Sequence, residues 1–243
     1  MTSSLAPTAA SRGRVARFWA STVGKKIVMA LTGLIMAGFL VAHMTANLLA
    51  YLGPDGINSY SRFLHSTPEL LWPARVVLLM SVILHATSAY QLSCAGAIAR
   101  PVGYAMRQTQ IATIASRTIR WLSVLVALFI VIHLLHFTTG TLLPGFINGN
   151  PYANLVNGFQ SQRGMAVFYL AMMVVIGLHL YHGTWSAIRT LGLARPKPNP
   201  FVRPVATLLA IALWLGFSAV PIGVLAGVIG PADDAPSYTA GTR

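Results

Sequence analysis

The sequence predicts an all-α membrane protein, a bundle of five transmembrane helices, and three observations carry that expectation. Only 9% of the residues are charged, against about 25% in a soluble domain, and the mean hydropathy is +0.66. Five apolar stretches, 27–51, 73–97, 121–141, 165–188 and 205–228, each reach the roughly 20 residues a helix needs to cross a ~30 Å hydrocarbon core. Of the 17 Lys and Arg side chains, finally, 13 gather on alternate connections between these stretches or ahead of the first.

That last pattern also explains a net charge of +13 without nucleic acid. Arg12, Arg14, Arg17, Lys25 and Lys26 precede the first stretch. Arg100, Arg107, Arg117 and Arg120 separate the second from the third, and Arg189, Arg195, Lys197 and Arg203 the fourth from the fifth. The other side holds Arg62, Arg75, Arg163 and Arg243, with all four acids, Asp55, Glu69, Asp233 and Asp234. Basic connections stay in the cytoplasm, so the N-terminus is expected inside and the C-terminus outside. The basic face is also a surface for anionic membrane lipid or a cytoplasmic partner.

The chain divides into a cytoplasmic tail over 1–23, one helical domain over 24–228 and an outer tail over 229–243. The first stretch is longer than the ~7–15 apolar residues of a signal peptide and reads as a retained helix. The outer segment 52–72 opens on the turn Gly53-Pro54-Asp55-Gly56 and continues into an apolar–polar mixture suited to the membrane interface. Segment 142–163 repeats that plan, with Tyr152, Leu155, Val156 and Phe159 at helical spacing. Prolines at 196, 198, 200 and 204 predict a stiff linker over 192–204, and residues 1–12 and 231–243 read as disordered. Cys94 stands alone, so there is neither a disulfide framework nor a cysteine pair for an iron–sulfur cluster; it is expected to be a small buried side chain.

Six of the seven histidines lie inside apolar stretches: His43, His85, His133, His136, His179 and His182. A polar ring in hydrocarbon needs a partner to offset its desolvation, so such residues mark function. Four helices each carry at least one, the arrangement needed to clamp haem iron between pairs of helices. Counting inward from the nearest basic residue, His179 lies 10 residues deep, His133 13, His85 15, His136 16 and His43 17. At about 1.5 Å per residue that spread suits two haems stacked across the bilayer, without fixing which rings pair. The third and fourth stretches each carry two histidines three residues apart, of which one is expected as a ligand and the other to bond a propionate, water or quinone. Gly33, Gly38, Gly177 and Gly183 serve either the approach of a flat macrocycle or helix packing. A proton-relay transporter or a metal-binding protein is the alternative class, but the spans hold no carboxylate.

Over residues 24–228 the chain resembles the cytochrome b-type membrane anchor of succinate dehydrogenase and fumarate reductase, in its single-subunit, five-helix, dihaem form. Four pieces carry the likeness. They are Thr32-Gly33-Leu34 with Val41-Ala42-His43 and Asn47, the loop Ile57-Asn58-Ser59-Tyr60 with Phe63 to Pro68, Leu84-His85-Ala86, and Arg120 thirteen residues before His133. The most specific is a fifth: His179-Leu-Tyr-His182-Gly183-Thr184-Trp185-Ser186 is similar to the family's His-x-x-x-Gly-x-Trp-Ser.

The resemblance implies two haems b, an inner one on His85 and His179 and an outer one on His43 and His133. His136 and His182 fall where the family has other residue types, and by depth His136 rivals His133 as the partner of His43. It further implies a flavoprotein and an iron–sulfur subunit as partners, with succinate oxidised on another subunit. Quinone (menaquinone) is then the acceptor, and the chain is a multi-pass protein of the cytoplasmic membrane. Tyr60, Ser61, His65 and Glu69 are the quinone candidates on the outer side, and Arg17, Ser21 and Lys25 on the inner side. The charge asymmetry sets the first test. A reporter fused after Gly192 should be active in the cytoplasm and one fused after Gly158 outside it; the reverse would invert the orientation.

Overall fold

The computed structural model describes residues 13–99, 113–194 and 200–231. Those residues form eight α-helices: α1 (Arg14–Ala20), α2 (Thr22–Leu48), α3 (Pro54–Ser66), α4 (Pro68–Ile98), α5 (Ile114–His133), α6 (Pro151–Gln160), α7 (Arg163–Thr190) and α8 (Val202–Leu225). Five of them, α2, α4, α5, α7 and α8, are long and apolar enough to cross a membrane, so this is an all-helical, multi-pass membrane protein. The two expected disordered tails, Pro196 and Pro198 of the linker, and Arg12, Arg100, Arg107, Arg195, Lys197, Arg243, Asp233 and Asp234 lie outside the described residues.

Local chemistry sets the helix ends. The Ser21 hydroxyl caps α2 by accepting from the Gly24 amide at 2.9 Å, and the Asn150 side chain caps α6 through the Ala153 amide at 3.0 Å. Pro54, Pro68 and Pro151 each stand in the first turn of a helix, where no amide hydrogen is needed. Helix α4 begins at Pro68, ahead of the expected 73, because Pro73 in its second turn is tolerated so close to the helix start. Helix α5 likewise begins ahead of the expected 121 and carries Arg117 and Arg120 in its first turns.

The largest difference from the sequence reading lies past α5. The helix changes pitch into a π-turn over Leu134–Thr138, closed by the Thr139 amide donating to the Leu134 carbonyl at 2.9 Å. The chain then reverses through Gly140, Gly145 and Gly149, all at positive φ, which glycine adopts without steric cost. It enters α6 not as a helix lying at a surface but as one of the most buried elements: Tyr152, Asn154, Leu155, Val156, Gly158 and Phe159 are all enclosed.

Helices α3 and α6 meet at one end of the bundle, where the main core lies. Phe159, Tyr169, Met172, Met173, Val220 and Val224 gather there with Ile57 and Ile229. A much smaller cluster, Ala37, Leu180 and Leu213, joins α2, α7 and α8 at mid-length. Toward the other end, where Lys25, Lys26, Arg189 and Arg203 sit, the bundle is more open. Closely packed pairs are α2 with α4, α7 and α8, and α7 with α5 and α8; neither α2 with α5 nor α4 with α7 is among them. Close backbone contact is therefore sparse between α2 and α5 and between α4 and α7, and these are the two gaps of the bundle.

Asn154 is the most tightly bonded of the side chains that hold the capped end. Asn154 accepts from the Ile147 amide and donates to the Ile147 carbonyl, each at 2.7 Å, pinning the reversal to α6. Asn154→Ala should cost about 1–3 kcal/mol through unmade bonds at a buried site. A thermal-unfolding midpoint equal to that of the unaltered protein would show that the reversal holds without this clamp.

Candidate cofactor site

The two gaps between helices are where the histidines meet. In the first, His43 of α2 faces His133 at the end of α5, with ring centroids 5.8 Å apart. In the second, His85 of α4 faces His179 of α7 at 6.3 Å. Two imidazoles bound to one metal through bonds of about 2 Å have ring centres roughly 6 Å apart, once each ring's own radius is added. Each opposed pair thus joins two helices that do not pack closely, at a ring separation compatible with a shared metal.

Hydrogen bonds fix which nitrogen is available. His85 Nδ1 donates to the Met29 carbonyl at 3.0 Å, with the Thr32 hydroxyl 3.4 Å away, so Nε2 keeps its lone pair. This is the arrangement by which metal-bound histidines are oriented. Gly33 makes the approach of α2 possible, because a Cβ there would lie 3.2 Å from the ring of His85. His179 makes no hydrogen bond among the described residues, and its Nδ1 is fully enclosed without a partner. Buried polar atoms of that kind are rare in folded proteins.

On the other pair, His43 Nε2 accepts from Asn47 Nδ2 at 3.3 Å, while the same amide donates to the His43 carbonyl at 2.8 Å. A metal on His43 would displace only the longer of these two bonds. Phe39 stacks on the His43 ring at 5.3 Å and Phe217 lies 5.8 Å away. His133 Nδ1 is 3.3 Å from the Tyr169 hydroxyl.

His136 is placed differently. It is 0% exposed, and both ring nitrogens are engaged, Nδ1 with the Tyr169 hydroxyl at 3.2 Å and Nε2 with Gln162 Oε1 at 3.0 Å. Phe137, Phe159 and Tyr169 surround the ring, and Gly158 lets α6 close over it. Both nitrogens are thus taken up by protein groups, although His136 lies only three residues beyond His133 on the same chain segment.

His182 stands at the open end. It lines a cavity of about 480 Å³ with Val23, Lys26, Trp185, Ser186, Arg189 and Thr190, and its Nδ1 has no partner. The guanidinium groups of Arg189 and Arg203 lie 5.5 and 4.9 Å from the Trp185 ring centre. Lys26 and the paired arginines were not singled out from the sequence, where they register only as basic residues near helix ends. Of the glycines weighed there, Gly177 packs against Trp214 and Ala210 of α8, whereas Gly38 and Gly183 face open space.

The remaining candidates are spread out. Tyr60 and Ser61 are half-buried on α3, His65 is exposed with Nδ1 donating to the Ser61 carbonyl at 2.8 Å, and Glu69 is exposed in the first turn of α4. Arg17 is exposed on α1, Ser21 caps α2 and Lys25 is half-buried. Cys94 is half-buried in α4. Comparison of the chain with protein-family models, with curated proteins and with solved structures finds no match in any of the three.

Proposed function

We propose that this chain is the dihaem membrane-anchor and electron-transfer subunit of a succinate:quinone oxidoreductase. The observation that carries the reading is the two opposed histidine pairs, His43 with His133 and His85 with His179, each joining helices that do not pack closely. Among the described residues there is no group of three or more His, Cys, Asp or Glu that could hold a bare metal ion. Two imidazoles are too few for such an ion but are the full protein ligand set of a haem.

In this reading the four helix-borne imidazoles do the holding, and residues around them set their orientation. His85 is oriented by the Met29 carbonyl; His179 offers a ring with no competing bond. At the basic end, Lys26, Arg189, Ser186 and His182 line the cavity and supply countercharge and donors for the acidic side groups of the inner macrocycle. Iron held between two imidazoles supplies one-electron transfer with no open coordination position.

The basic end then faces the cytoplasm and docks the iron–sulfur subunit, with the flavoprotein beyond it, while anionic lipid surrounds the same face. Quinone takes electrons within the cytoplasmic membrane. The hydroxyls of Tyr60 and Ser61 serve as donors to its carbonyls, and His65 and Glu69 as groups that hold a proton near the start of α4. Succinate oxidation and the clusters belong to the partner subunits, since this chain has no dinucleotide fingerprint and one cysteine.

The test is the reduced-minus-oxidised spectrum of the assembled complex with succinate as sole electron donor. A Soret band and a b-type α-band of two components, reduced by succinate and reoxidised by added quinone, are expected. Absence of a Soret band in a folded preparation would overturn the reading.

A further inference from the structure

Behind His133 runs a chain of three side chains that the opposed pair itself does not require: Tyr169, His136 and Gln162. Its proton positions follow from one end. Gln162 Nε2 donates to the Leu142 carbonyl at 3.0 Å, so the other face of the amide, Oε1, is turned to His136. An amide oxygen only accepts, so His136 Nε2 carries a proton and, in the neutral ring, Nδ1 does not. His136 Nδ1 must then accept from the Tyr169 hydroxyl at 3.2 Å. That hydroxyl has a single proton, now committed, so toward His133 its oxygen can only accept. His133 Nδ1 is therefore the donor at 3.3 Å, and its Nε2 is left with a bare lone pair. Each donor in the chain points away from His133.

Packing holds the chain in place. Tyr169 is wedged between the rings of Phe129, Phe159 and Phe168, all with centroids 5.1–6.0 Å away. His136 lies within the π-turn, and the Tyr169 hydroxyl sits between the two rings, 3.3 Å from His133 Nδ1 and 3.2 Å from His136 Nδ1.

We infer that Tyr169, His136 and Gln162 are positioning residues for the outer haem, holding His133 in the Nδ1–H tautomer and strengthening it as a ligand to ferric iron. This rests on the haem reading given above. An imidazole whose N–H is given to an acceptor becomes a more basic ligand, which favours the oxidised metal and lowers its potential. Bonds aligned head to tail polarise one another, so the far end of the chain contributes too. Loss of the chain should therefore raise the potential of the outer haem and leave the inner haem unchanged.

The experiment is a redox titration of both haems, followed by their α-bands, in the assembled complex with Tyr169→Phe, Gln162→Leu and both together. Tyr169→Phe keeps the aromatic packing and removes only the hydroxyl. It should raise the ratio of reduced to oxidised outer haem at fixed ambient potential about tenfold, an upward shift of about 59 mV for one electron. Gln162→Leu should give a smaller shift in the same direction. The double variant should shift no further than Tyr169→Phe alone, because Gln162 acts only through the hydroxyl. Should Tyr169→Phe shed the outer haem, Gln162→Leu carries the same test alone, with an upward shift expected. An unmoved outer potential in haem-loaded variants, equal shifts of both haems, or additive shifts in the double variant would overturn the relay while leaving the haem reading intact. An unaltered complex without haem would overturn both.

Discussion

An imidazole ring in hydrocarbon must be given partners, and that requirement organises this molecule. Leaving a buried polar group unpaired costs on the order of 1–3 kcal/mol, so six such rings at membrane depth would burden a bundle of this size heavily. For five of the six the structure meets the requirement in two ways, while His182 lines the cavity at the basic end. His136 is fully bonded to protein and enclosed by aromatic rings. His43, His85, His133 and His179 instead turn toward one another across gaps, each pair at a separation suited to a shared metal. Hydrogen bonding to protein satisfies the first; for the second, iron is the proposed remaining partner.

The distribution of packing follows from the same division. The end closed by α3 and α6 carries an ordinary core of Phe, Tyr, Met and Val, stabilised by apolar burial and by the Asn154 clamp. Along the rest of the bundle α4 leans on α2, and α5 on α7, with few buried side chains of their own; in α4 only Ser81 and Ser88 are enclosed. Small side chains there let backbones approach where they must, and gaps persist where histidines face each other. A bundle packed evenly along its length would have no space for a macrocycle. Rigidity at one end and openness elsewhere are two sides of one arrangement.

The five apolar helices were legible because hydrophobic length is a direct physical requirement of the bilayer, and the buried face of α6 was visible in the spacing of Tyr152, Leu155, Val156 and Phe159. The insertion of α6 into the bundle was not, since helical periodicity says which face is apolar but not what covers it. Depth counting could not separate His133 from His136, because it assumes a uniform rise per residue and the π-turn begins just after His133. The structure brings together the rings that the family resemblance pairs. Tyr169 and Gln162 carried no sequence signal: an isolated tyrosine in an apolar run and a glutamine before a helix are ordinary, and only the fold gives them a common neighbour. The cavity lined by Lys26, His182 and Arg189 was likewise hidden, its residues lying on two helices far apart in sequence.

The central claim, that two opposed histidine pairs each hold one haem, is tested most directly by the haem-to-chain ratio from pyridine haemochromogen assays on purified protein. The account predicts two haems in the unaltered chain, one after His43→Ala, His85→Ala, His133→Ala or His179→Ala, and none after His43→Ala combined with His85→Ala. It predicts two after His136→Ala, whose ring faces neither gap. A ratio near zero in the unaltered chain would contradict it. So would loss of a haem with His136→Ala while His133→Ala keeps both.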